Sequence, residues 1–291
     1  MRVRIIANPV AGGGQGRAKA EALASALETR GESVDLFFTG KAGDAKQSAG
    51  EGGADCMVAV GGDGSVNEIV NGLTDLDVPL AILPMGTANV VARELNIPKE
   101  PEAVADLIVA GHSRRMDVGL YGDQRFLLGA GAGLDAAITE EVSRNRGARS
   151  GLSKWVWPSV KTCLAYEFPK MRAVVDGEEL NSDTQYAIVG NCRYSAGVYP
   201  ATPKAKIDDG LLDACLFRNL SVPRLMVLAA TMWRERFIEH KDVTYVQAKQ
   251  VELYPATEEA VPLQVDGDPA GSLPAAFRVN DTPINVVCPV Q

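Results

Sequence analysis

Histidine is almost absent from this chain, with His112 and His240 the only two in 291 residues. Neither has a cysteine or a second histidine near it in sequence, which leaves little from which to build a zinc centre or a histidine-based triad. The five cysteines, Cys56, Cys163, Cys192, Cys215 and Cys288, are odd in number and scattered. They lack metal-ligand spacing and suit a reducing cytoplasm, where the protein is expected to reside. No apolar run approaches the roughly 20 residues that span a bilayer. The stretch from Met1 to Pro9 is broken too early for a signal peptide and reads as a first strand. Basic residues are also short, 29 against 37 acidic, for a net charge of −8. That balance excludes a global attraction to nucleic acid or anionic lipid, so no nucleic-acid partner is expected and any lipid contact must be local.

What the chain does have is apolar residues, 46% of the total, over a length natural for two domains. Residues 1–115 alternate apolar strands (3–7, 33–38, 56–60, 80–83) with helical patterns (17–30, 43–50, 65–73, 89–95, 102–110), as a parallel sheet requires. From about residue 116 the pattern turns to strands, punctuated by Gly122-Asp123, Asp176-Gly177, Asp209-Gly210 and Asp266-Gly267. Two helical interruptions stand out, 135–146 continuing into 151–168, and 223–240. The expectation is an α/β domain over 1–115 and a β-rich domain over 116–275.

Residues 60–73 carry the most chemistry. An apolar strand runs into Gly61-Gly62-Asp63-Gly64-Ser65, and Val66, Ile69, Val70 and Leu73 then repeat at helical spacing. A glycine-rich strand-to-helix turn offers backbone N–H groups and a helix N-terminus to phosphate. Asp63 is the odd member, since a carboxylate repels phosphate unless a divalent cation lies between them. Asn8-Pro9-Val10-Ala11-Gly12-Gly13-Gly14 follows the first strand in the same way, with Arg17 and Lys19 close enough in sequence to meet phosphate; a purely packing role fits this turn equally well. Pro84-Met85-Gly86-Thr87-Ala88-Asn89 follows the fourth strand, where Thr87 and Asn89 bring side-chain hydrogen bonds or ordinary helix caps. Three such turns gather at the carboxyl edge of one sheet, where open α/β folds place ligands.

The run from Gly61 to Gly72 with Asn67-Glu68-Ile69 and Asn71-Gly72, then Gly86-Thr87-Ala88-Asn89 and Ala92-Arg93-Glu94-Leu95, resembles the diacylglycerol kinase catalytic family. That family includes bacterial soluble diacylglycerol kinases, YegS-like lipid kinases and sphingosine and ceramide kinases. NAD kinases and phosphofructokinases share a Gly-Gly-Asp-Gly turn, but the continuation is of the lipid-kinase type. The resemblance implies an NAD kinase/phosphofructokinase-like α/β nucleotide-binding domain plus a β-rich sandwich, with 276–291 returning to the first domain. It also implies ATP and Mg²⁺ as cofactors and a lipid hydroxyl as acceptor. ATP contacts would fall on Asn8, Pro9, Gly12, Gly13, Thr39, Gly61, Gly62, Asp63, Gly64, Ser65, Asn67, Glu68, Gly86, Thr87 and Asn89.

Two later segments fit the same family in order. The Asp208-Asp209-Gly210 turn, otherwise an ordinary surface turn, would hold a structural Mg²⁺ through the Asp209 carboxylate and the carbonyls of Lys206 and Leu211. Asp266-Gly267-Asp268, otherwise a hairpin turn, matches an Asp-Gly-Glu motif whose last residue is the base. Asp268 would take the hydroxyl proton with Asp266 assisting, while Asp63 would act on Mg²⁺ directly or through water, neutralising charge on the transferred group. The chain departs from soluble diacylglycerol kinases at Val90, where they carry an aspartate, and at Asp268, one methylene shorter than glutamate. Gly129 to Gly133 reads as a small-residue stretch that follows a strand at 125–128 and leads into a helix, with lipid contact or packing as its purpose. The segment from Lys154 to Lys161, with Trp155 and Trp157, reads as a buried helix or as a peripheral contact at the inner face of the membrane. A homodimer stays open, and two other functions fit parts of the pattern: a nucleotide-binding regulator without turnover, and an NAD kinase.

Overall fold

The computed structural model describes residues 1–144, 153–194, 199–232 and 235–290. The chain divides into two compact units, Met1–Val118 with Asn280–Gln291, and Gly119–Val279. The first opens with β1 (Arg2–Ala7), a distorted turn α1 (Ala11–Gly14), α2 (Gly16–Thr29) and β2 (Ser33–Phe38). It continues with α3 (Asp44–Gly50), β3 (Cys56–Gly61), α4 (Asp63–Gly72), β4 (Leu80–Pro84), α5 (Val90–Glu94), α6 (Pro101–Ala110) and β5 (Ser113–Met116). The second holds β6 (Gly119–Tyr121), β7 (Gln124–Phe126), β8 (Gly129–Ala132), α7 (Leu134–Arg144), α8 (Ser153–Ala165), β9 (Met171–Val175), β10 (Glu178–Thr184) and β11 (Tyr186–Gly190). After these come β12 (Leu212–Phe217), α9 (Val222–Met232), a 3₁₀ turn (Arg236–Glu239), β13 (Val243–Ala248), β14 (Gln250–Pro255), β15 (Pro262–Val265), β16 (Asp268–Ser272) and β17 (Ala275–Val279). The last strand, β18 (Ile284–Val287), belongs to the first unit.

In the first unit the sheet order is β2-β1-β3-β4-β18-β5. The strands expected to be parallel are so, and β5 closes the sheet antiparallel to β18. Both faces are covered, which explains why β3 and β4 read as unbroken apolar runs. Val3, Ile5, Val58, Val60, Ala81 and Leu83 pack with Leu23 and Leu27 of α2 and Val104 and Ile108 of α6. Their neighbours of opposite parity, Ile6, Met57, Ala59 and Ile82, are buried as well, on the side served by α3 and α4.

The second unit is a sandwich of two six-stranded antiparallel sheets, β10-β9-β14-β17-β6-β7 and β13-β12-β11-β8-β15-β16. Alternation along the strands explains its core. Ala187 and Val189 of β11 and Ala214 and Leu216 of β12 face the other sheet and its Met171, Val251 and Phe277. Ile188, Cys215 and Phe217 point the opposite way and pack with Leu134, Leu228 and Phe237 beneath the helices. Apolar residues of both parities therefore bury β12 completely.

The run from Gly129 to Ala132, expected to follow a strand at 125–128, is itself strand β8 between β11 and β15. A Cβ on Gly129 would lie 2.7 Å from the Val189 carbonyl oxygen, and one on Gly131 would lie 1.9 Å from an Asp135 carboxylate oxygen. Small residues serve close packing there. The side chains of 153–158, with Trp155 and Trp157, lie outside the described residues, as do 145–152 and 233–234 of the expected helices. Among the described residues no helix is long and apolar enough to cross a membrane.

Phe277 is fully buried and meets Phe126 edge to face at 6.2 Å between ring centroids. Phe277→Ala is expected to destabilise the protein by about 3–5 kcal/mol, read as a lowered urea midpoint; an unchanged midpoint would remove Phe277 from the core of the sandwich.

Candidate functional site

Parallel register delivers three turns to one sheet edge. Ala7 pairs with Phe38 and Val60, and Gly61 with Pro84. Main-chain bonds continue the ladder into the turns: the Asn8 N–H donates to Val60 at 2.9 Å, Thr39 to Ala7 at 2.9 Å and Met85 to Gly61 at 2.7 Å. The edge thus gathers Asn8, Pro9, Thr39, Gly61 to Ser65 and Gly86 to Asn89. Two of the turns meet backbone to backbone, since a Cβ on Gly86 would lie 2.6 Å from the Gly62 Cα. Gly12 and Gly13 hold φ of 60° and 69°, which places their turn in the left-handed region.

Asp63, the first residue of α4, receives the Val90 N–H at 2.7 Å on Oδ1, and the N–H groups of Asn89 and Val91 also favour its charged form. Burial outweighs those donors and raises its carboxyl above the ordinary value. Its charge therefore ties the start of α5 to the start of α4. Asn89 has φ of 48° and closes the same turn on itself, accepting the Gly86 N–H at 2.8 Å and donating to the Gly86 carbonyl at 2.7 Å. The Val90 side chain is 1% exposed, so the position at which relatives are expected to carry an aspartate is here a core position.

Other expected contacts have partners within the protein. Glu68 accepts the Gly43 N–H at 3.0 Å at the entrance to α3, and Asn67 pairs with Asn71 one turn along α4 at 3.1 Å. Arg17 and Lys19, read from sequence as near enough to meet phosphate, also have partners within the protein. The Arg17 guanidinium lies 4.0 Å from the Phe38 ring centre, and Lys19 binds Glu100 at 2.7 Å. Cations do occur at a cleft of about 590 Å³ beside the turn before α5, lined by Pro84, Thr87, Asn89, Arg93, Asn96 and Lys99. Sequence reasoning gave no role to Arg93 and Lys99; their position just after the turn was the available signal. It also passed over Asp117, a carboxylate only 8% exposed.

In the second unit β15 and β16 are joined by the two-residue turn Asp266-Gly267, with φ of 49° and 85°. The Asp266 carboxylate accepts the N–H groups of Leu127, Leu128 and Gly129 at 2.8, 2.8 and 3.0 Å. It anchors the hairpin to the β7–β8 connection, a role the sequence did not disclose. Asp268 is exposed at the start of β16. Asp209 lies on an exposed turn, where Oδ1 accepts the Leu211 N–H at 3.1 Å and Oδ2 lies 3.4 Å from Gln247 Nε2. Among the described residues no three His, Cys, Asp or Glu side chains group to hold a metal. One carboxylate with the carbonyls of Lys206 and Leu211 is nevertheless an oxygen-only donor set, which suits a hard cation.

Asp135, which opens α7, accepts the Ala136 N–H at 2.8 Å and Gln264 Nε2 at 2.9 Å. Burial pushes its carboxyl from 3.8 up to about 6 despite these donors. The unfolded chain releases that proton first while the fold still holds it, so the group's contribution to stability is lost as pH rises from about 4 to about 6. The melting temperature of wild type minus that of Asp135→Asn is expected to fall over this window; a difference that does not change with pH would refute the assignment.

Residues 2–121 match the family model described as the diacylglycerol kinase catalytic domain, and residues 129–288 match the YegS C-terminal NAD kinase beta sandwich-like domain. A diacylglycerol kinase of Staphylococcus aureus strain bovine RF122 / ET3-1 is 30% identical over 300 residues, covering 99% of this chain and 92% of that protein. The diacylglycerol kinase of strain MRSA252 shows the same identity and coverage. A solved structure from Bacillus anthracis str. Sterne superposes with a TM-score of 0.77 at 25% identity, over 99% of this chain and 95% of that one. A diacylglycerol kinase structure from the same strain, at 24% identity and a TM-score of 0.72, covers 99% and 96% and shares the fold. The two matched domains, in this order and over nearly the whole length, show that the chain belongs to the diacylglycerol kinase catalytic-domain family.

Proposed function

We propose that the protein transfers the terminal phosphoryl group of ATP to the hydroxyl of a diacylglycerol-like lipid. Gly64 is the observation that carries this reading. It sits in the first turn of α4 without a positive φ, and a Cβ there would meet nothing within 4 Å. Neither backbone conformation nor packing requires glycine, although glycine inside a helix costs about 0.5–1 kcal/mol relative to alanine. A ligand resting against the first N–H groups of α4 explains its presence, and the N-terminus of a helix favours an anion such as a phosphate.

The triphosphate would lie along Asn8, Pro9, Gly12, Gly13, Thr39, Gly61 to Ser65 and Gly86 to Thr87, with Arg93 and Lys99 adding positive charge. Asn67, Glu68 and Asn89 would hold the turns through the bonds described above. Asp63 would fix the α5 entrance and keep the amides of both turns aimed before the reaction begins. As the lipid oxygen bonds to phosphorus and the bond to ADP breaks, Asp268 would accept the hydroxyl proton. Asp266 would serve as its anchor, with its charge already on three N–H groups. Mg²⁺, when bound, supplies charge neutralisation. Asp209 with the carbonyls of Lys206 and Leu211 would hold a structural ion. Cytoplasmic residence with peripheral contact at the membrane accompanies this reading.

Purified protein incubated with radiolabelled ATP and a bacterial lipid extract is expected to give a labelled phospholipid; label found only as inorganic phosphate, or on NAD, would sink the proposal. Gly64→Ala is expected to raise the apparent KM for ATP or lower turnover by at least about tenfold while leaving the melting temperature equal or higher. Asp268→Asn is expected to lower kcat by about 10²–10⁴-fold with the KM for ATP unchanged, and near-normal turnover would discard Asp268 as the base.

A further inference from the structure

We propose that Gln264 is a positioning residue that locks the Asp266-Gly267-Asp268 turn to Asp135 at the start of α7. Its consequence for turnover rests on the reading of Asp268 as the base. Gln264 is 7% exposed on β15, between Leu263 and Val265, which point into the sandwich core. Alternation therefore turns the amide to the opposite face, where a buried polar group is costly unless every bond is met. Two neighbours of opposite character meet it. Oε1 accepts the Gly267 N–H at 2.8 Å, and Nε2 donates to Asp135 Oδ2 at 2.9 Å. A flipped amide would set its NH₂ against the Gly267 N–H and its oxygen against the Asp135 carboxylate, so the two neighbours together allow one orientation.

The turn needs this bracket because its ladder is weak. β16 is the edge of its sheet. Pro269 stands opposite Gln264 and has no N–H to offer. The pairing is also irregular between Pro262 and Gln264. Side-chain bonds replace the missing main-chain support, with Asp266 gripping the β7–β8 connection and Gln264 gripping α7 through Asp135. Asp268 follows Gly267 directly, so the position of its carboxylate depends on where that N–H is held.

The test uses the intact protein and four forms: wild type, Gln264→Met, Gln264→Glu, and the exchange Gln264→Glu with Asp135→Asn. Gln264→Met keeps the side-chain length without its hydrogen bonds, and Gln264→Glu sets two carboxyl groups together. The exchange restores both bonds, with donor and acceptor reversed on the Asp135 side. Turnover with a diacylglycerol is expected to fall about 10–100-fold in both single variants at unchanged KM for ATP. It is expected to return to within about threefold of wild type in the exchange variant, a non-additivity that marks direct coupling. Hydrogen exchange at the 266–268 amides should quicken in the single variants and slow again in the exchange variant. This readout needs no activity, so an inactive wild type with that exchange pattern would support the positioning role while removing the kinase reading. Unchanged exchange at these amides, or a turnover loss that the exchange variant does not recover, would overturn the proposal.

Discussion

The Asp63 carboxylate is the interaction on which the carboxyl edge of the first sheet depends. Two helices, α4 and α5, begin at adjacent strands and meet through turns whose backbones touch at Gly62 and Gly86. Each helix start presents unpaired N–H groups and a partial positive charge, so the pair repels unless a negative group stands between. Asp63 stands there, accepting from the start of α5 while forming the start of α4. An acid in this glycine-rich turn thereby has a structural role. It allows two helix entrances to lie side by side and leaves the remaining N–H groups for a guest.

The second unit uses the same device. Asp266 accepts three consecutive N–H groups of the β7–β8 connection, and in doing so fixes a hairpin whose far strand is a poorly paired edge. In both places a carboxylate organises main chain that no regular ladder could organise. Asp268, two residues on, is exposed at the start of β16. Two acids separated by one glycine thus differ in setting, one held by the backbone and the other exposed.

Much of the fold was legible because its signals are periodic. Fully apolar β3 and β4 announced a sheet covered on both faces, and Asp266-Gly267 announced a tight hairpin. The strand at Gly129 to Ala132 was not legible because glycine is poor in strands and the reason for it here, Asp135 folded over Gly131, comes from residues farther along the chain. Arg17 and Lys19 show the limit again: sequence shows a cation beside a glycine-rich turn, but not the contacts with Phe38 and Glu100. Partner choice among polar residues is three-dimensional, and for that reason Asp266, Asn89 and Gln264 could not be assigned as structural supports in advance.

Val90 shows how such support bears on chemistry. An aspartate at this position would add a second carboxylate beside Asp63, and like charges in a half-buried turn penalise one another. Here the side chain is buried with the apolar residues while the main-chain N–H serves Asp63. With valine at this position, Asp63 is the acid that receives the α5 entrance. A sheet edge built this way presents oriented amides rather than a cluster of carboxylates, and its shape depends on the exact path of the main chain. Gly64 fits that demand, because close approach to an amide is what the missing side chain permits.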